Sequence, residues 1–123
     1  TEPSPYSIEV SVAAKVVGSG TGNRYFIDGV QQKTLVVKAG QTYKFNVPNI
    51  SNHPFKFSTN VDGTNNPGDE YTTNVSVSGT EVTIVIPASG ISNLYYYCSV
   101  HPGMGGRIII KDQISGGEGP GAY

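Results

Sequence analysis

At 123 residues, with 16 Gly and 8 Pro, the chain is long enough for one domain with a core of its own and too short for two. Val and Ile together number 24 against 2 Leu and 5 Ala, a balance that suits pleated sheet and speaks against a helical bundle. Eight Lys and Arg against nine Asp and Glu leave a formal charge of -1, without the basic excess that binding to nucleic acid demands.

Thr1 to Pro5, polar and proline-rich, reads as an N-terminal linker that leaves room for a membrane tether ahead of Thr1. No later stretch approaches the roughly 20 consecutive apolar residues of a membrane-spanning helix. The domain itself is expected over 6–112. Its first strand, Tyr6 to Val12, alternates with Ile8, Val10 and Val12 on one face and gives way to a glycine-rich loop at Gly18 to Gly22. Tyr25-Phe26-Ile27 ends at the Asp28-Gly29 turn, Thr34 to Lys38 ends at Ala39-Gly40, and Thr42 to Val47 ends at Pro48. Phe55 to Ser58 alternates again, and Asn60 to Asp69 is an irregular segment of turn residues. Thr73 to Val77, Glu81 to Ile86, Leu94 to Cys98 and Arg107 to Lys111 complete the set. Residues 113–123, rich in glycine, read as a flexible tail. The pattern predicts an all-β, Greek-key sandwich of about eight strands, and no fixed-period repeat supports a solenoid or propeller. The paired cysteines and core tryptophan of an immunoglobulin-type domain are absent from the sequence.

Cys98 is the only cysteine. Alone, it reads as a bland buried thiol, a reactive thiol or a metal ligand. Its neighbours decide between these: in Tyr97-Cys98-Ser99-Val100-His101-Pro102-Gly103-Met104-Gly105-Gly106 the sole Cys, one of two His and the sole Met stand three and three apart. The other histidine, His53, precedes a strand, and a sandwich can return it to the same end. One thiolate, two imidazoles and a thioether suit copper, whereas zinc more commonly takes a second Cys or a third hard ligand. A Cys98–His101 nucleophile and base, a glycosidase pair at Asp69-Glu70 and a nucleotide loop at Gly18 to Gly22 lack the third group, the shared face and the following helix that each needs.

The loop Cys98-x-x-His101-Pro102-x-Met104 resembles that of a cupredoxin, and its short spacing is similar to amicyanin's. Plastocyanin and pseudoazurin place the second His and the Met further apart. The resemblance implies one copper ion cycling between Cu(II) and Cu(I), with His53, Cys98 and His101 equatorial and Met104 axial. It further implies a single-electron carrier, monomeric and outside the cytoplasm, docking redox protein partners through an apolar patch of Val100, Pro102, Gly103 and Met104 near His101. An alternative is an open axial position, loosened by Gly103, Gly105 and Gly106, at which the copper oxidises or reduces a small ligand such as nitric oxide. The chain departs from the family at Pro54, where cupredoxins commonly carry an Asn whose backbone N–H donates to the Cys sulfur.

Overall fold

The computed structural model describes residues 6–18, 22–48, 50–66, 68–91 and 93–112. The N-terminal linker and the C-terminal tail expected from the sequence lie outside the described residues. Among the described residues ten strands form two sheets: β1 (Tyr6–Ala14), β2 (Asn23–Ile27), β3 (Val30–Gln31), β4 (Leu35–Lys38), β5 (Thr42–Asn46), β6 (Phe55–Ser58), β7 (Val75–Ser78), β8 (Glu81–Val85), β9 (Asn93–Cys98) and β10 (His101–Lys111). One sheet runs β3-β2-β1-β5-β8-β7 and the other β4-β10-β9-β6. The expected sandwich is present, with the two-residue β3 as an extra element closing a hairpin after Asp28-Gly29. Two of the pairings, β1 with β5 and β4 with β10, are parallel, because consecutive segments such as β4 and β5 alternate between sheets.

The alternation seen in sequence is the alternation of burial. Ile8 and Val10 of β1, Tyr25 and Ile27 of β2, Tyr43 and Phe45 of β5, and Val82 and Ile84 of β8 face inward from the larger sheet. Leu35 and Val37, Phe55 and Phe57, Leu94 and Tyr96, and Ile108 and Ile110 meet them from the smaller one. At one end of this core the aromatic rings pack in contact: Phe55 stacks on Tyr96 with centroids 5.4 Å apart, and Tyr25 meets Phe55 edge-on at 5.0 Å. Such pairs add directional preference to the area they bury, and they form the floor on which the sequence-predicted cluster sits.

Two details of this end of the sandwich go beyond the strand periodicity. The last strand begins at His101 rather than Arg107, so the ligand loop is part of the β9–β10 ladder. Tyr97, between the inward Tyr96 and Cys98 on β9, is also completely buried because the segment from Asn60 onward folds over it, with Gly63 set directly against its ring. That segment contains a 3-10 turn at Gly63–Asn65. Among the described residues no helix is long and apolar enough to cross a membrane.

Candidate metal centre

The β-ladder brings the cluster together. In the β6–β9 pair Phe55 lies opposite Cys98, so His53, two residues earlier, is carried past the strand end alongside the cysteine. On the other side of β9, His101 pairs directly with Cys98 across a turn made by Ser99 and Val100. Cys98 is thus held between two strands, each delivering one imidazole. Its Sγ lies 3.9 Å from His53 Nδ1 and 3.4 Å from His101 Nδ1, and one donor atom from each residue falls within 4.8 Å of the others. The two imidazole rings are 4.7 Å apart, tilted by 41°.

These separations fit a single ion. Nitrogen and sulfur donors bind first-row metals at about 2.0–2.3 Å, so three of them in a trigonal plane stand about 3.6 Å apart. The observed sulfur–nitrogen distances bracket that value. A buried thiol facing two Nδ1 atoms, with no carboxylate in the group, is a soft donor set suited to copper. Cys98 is fully buried, His53 is half-buried and His101 is exposed, so the plane opens to solvent at His101. Desolvation, with His101 beside it, lowers the pKa of His53, which keeps its imidazole in the neutral, ligating form.

Met104 is buried, with only 1% of its surface exposed. It lines a cavity of about 210 Å³ together with His53, His101, Pro102, Gly22 and the first two residues of β2, Asn23 and Arg24. All four sequence-predicted residues therefore converge on one end of the sandwich. The loop that holds Met104 is a bulge: between His101 and Gly106 five steps along β10 face two along β9. Its glycines have separate causes. Gly103 takes φ +80°, Gly105 passes so close to the Tyr96 carbonyl that a side chain has no room, and a Cβ on Gly106 would lie 2.7 Å from the Tyr96 hydroxyl. Close approach to β9 thus requires glycine at 105 and 106, and the backbone conformation favours it at 103.

Sequence reasoning missed the groups around the cluster. Tyr25, on the opposite sheet, is fully buried and its hydroxyl donates to the His53 carbonyl at 2.7 Å. Burial, and then the neighbouring Cys98, push that hydroxyl's pKa far upward, so it stays protonated and keeps donating. Removing the hydroxyl in Tyr25→Phe leaves this part-buried carbonyl without that donor. The expected result is a loss of about 1 kcal/mol in urea unfolding of the apo-protein, and unchanged stability would show that the bond contributes nothing. The sulfur faces the two imidazole nitrogens, with the Tyr25 hydroxyl also beside it. Pro54, lacking an N–H, instead offers its carbonyl to Ser99 N at 3.4 Å.

The two-sheet sandwich brings one donor atom each of His53, Cys98 and His101 within 4.8 Å of one another and places Met104 in the cavity lined by both histidines. Among solved structures, the chain is similar to reduced rusticyanin, with 20% identity over 89% of this chain and 82% of that one and a TM-score of 0.49. It is similar to rusticyanin from Thiobacillus ferrooxidans, with 20% identity, coverage of 88% and 79%, and a TM-score of 0.47. A 2F4 variant of the McoA multicopper oxidase from the hyperthermophile Aquifex aeolicus matches at 16% identity over 89% of this chain and 27% of that one, with a TM-score of 0.48. No protein-family model matches the chain, and no curated protein matches it.

Proposed function

We propose that the protein carries single electrons through one copper ion held by His53, Cys98 and His101, with Met104 as the axial ligand. The observation that carries this reading is the convergence of two Nδ1 atoms on one buried thiol at 3.4 and 3.9 Å. When bound, copper supplies a Cu(II)/Cu(I) couple. The chain contributes a donor set fixed by three strands, with its sulfur away from water, which keeps the ligands nearly stationary when the charge changes. His101, exposed at the rim, is the point of closest approach for a partner. Val100, 57% exposed, and the exposed Pro102 and Gly103 form the surrounding surface, suited to a small, transient contact with a redox protein. Met104, counted in that patch from sequence, is buried and takes no part in it. In this reading the protein is a monomer that works outside the cytoplasm.

The buried Met104 favours outer-sphere transfer over chemistry on a small ligand. The test is azide added to the copper-loaded protein. An unchanged visible spectrum, together with rapid oxidation of the reduced form by an outer-sphere oxidant, supports the carrier. A saturable spectral shift would establish the open-site alternative.

Pro54 sets a second expectation. A backbone N–H donated to the thiolate stabilises the electron-rich reduced state, and this chain lacks one at Pro54. Pro54→Ala restores the donor and is expected to raise the midpoint potential by roughly 60 mV, the one-electron equivalent of about 1.4 kcal/mol. Redox titration of the two proteins reads this directly, and a potential that stays level or falls would contradict it.

A further inference from the structure

Two segments remote in sequence grip the ligand loop from opposite sides. On one side, Gly103 N–H donates to both carboxylate oxygens of Asp62, at 3.2 and 3.1 Å. Three residues on, Asn65 Nδ2 donates to the Cys98 carbonyl at 2.7 Å and lies 3.4 Å from Asp62 Oδ1. A single turn therefore bonds the loop both at Cys98 and at Gly103, on either side of His101. On the other side, Gln32 Nε2 donates to the carbonyls of Gly103 and Gly105, at 3.1 and 2.8 Å, and these residues directly flank Met104. The Gln32 amide is held in turn, its Oε1 accepting from Gln31 Nε2 at 3.1 Å.

The backbone supplies a second observation. Gln32 sits in the left-handed region at φ 47°, where glycine rests without strain and a glutamine does not; Asp62 shares the region at φ 60°, which an aspartate adopts more readily. Strain of this kind persists where the side chain has work to do, and both side chains are directed at the same loop. The loop itself cannot supply stiffness, since three of its four residues from Gly103 to Gly106 are glycine.

We propose that Asp62, Asn65 and Gln32 are positioning residues that hold the ligand loop closed and fix Met104 relative to the Cys98 thiolate. This rests on the copper reading above for its functional meaning, while the clamp itself is testable without metal. Asp62→Gly and Gln32→Gly are the informative variants, because glycine removes the side chain and relieves the backbone at once. Asp62→Asn, which tolerates the same backbone and keeps one acceptor oxygen, is the conservative control.

In the apo-protein, melting is expected to stay within a few degrees of the parent, while exchange of the Gly103 amide in Asp62→Gly rises about tenfold or more, because a bond to an ionised acceptor is among the stronger ones. In the copper-loaded double variant, loss of Cu(I) to an excess of chelator is expected to become about tenfold faster. The EPR spectrum and midpoint potential shift with it, and Asp62→Asn falls between the parent and Asp62→Gly. A double variant that folds yet keeps the parental spectrum, potential and copper-loss rate would overturn the proposal. So would glycine variants that fail to fold, since the clamp would then be a folding element. If the parent takes up no copper the carrier reading fails, and the amide exchange alone decides the clamp: protection lost in Asp62→Gly supports it, equal exchange refutes it.

Discussion

Gly105→Ala is expected to destabilise the apo-protein by about 3 kcal/mol or more, a fall of about 15 °C in Tm for a domain of this size. The reason is local. An added Cβ would run into the carbonyl oxygen of Tyr96, with the Tyr97 backbone just behind it. Backbone on a central strand cannot step aside as the end of a flexible side chain can, so the β9–β10 bulge must open. Gly103 offers the contrast. Nothing lies within 4 Å of its Cβ direction, and only its φ of +80° disfavours a side chain, so Gly103→Ala should cost about 1–2 kcal/mol. Urea unfolding of both variants checks the order. Equal losses, or a loss below about 1 kcal/mol for Gly105→Ala, would show that the strands do not approach as described.

Cys98→Ser separates the metal site from the fold. The cysteine is fully buried between β6 and β10, and serine replaces it with little change in volume while keeping a polar contact open to either imidazole. Stability of the apo-protein should therefore change by no more than about 1–2 kcal/mol. Copper binding should not survive in kind: the variant is expected to show no intense thiolate-to-copper absorption. Its Cu(I) affinity should fall by more than about a hundredfold, since even partners that only orient a ligand are worth ten- to a hundredfold. A variant that still turned intensely coloured with copper would remove Cys98 from the site.

Much of this architecture was legible in the sequence, for physical reasons that can be named. Alternating runs such as Ile8-Glu9-Val10 and Val82-Thr83-Ile84 mark strands because one face of each is dry. The three-and-three spacing of Cys98, His101 and Met104 marks a tight turn that returns its ligands to one place. Other features were not readable because they depend on contacts between distant residues. The bond from Asp62 to Gly103 spans 41 positions and that from Gln32 to Gly105 spans 73, and neither leaves a periodic trace. Asp62-Gly63 reads only as turn chemistry until the fold brings it beside the ligand loop. Tyr25 looks like any inward strand residue, and its bond to the His53 carbonyl exists only once the two sheets face each other. The start of β10 was misplaced for a related reason: Pro and Gly at 102, 103, 105 and 106 read as a loop, whereas pairing with β9 absorbs them as a bulge.

Whether His53, Cys98, His101 and Met104 form one copper site is read by titrating the purified apo-protein with Cu(II) while recording visible and EPR spectra on the same sample. The expected result is an end point at one equivalent, an intense thiolate-to-copper band that colours the protein blue, and a narrow copper hyperfine splitting. A colourless protein whose Cys98 still reacts as a free thiol after one equivalent of copper would contradict it.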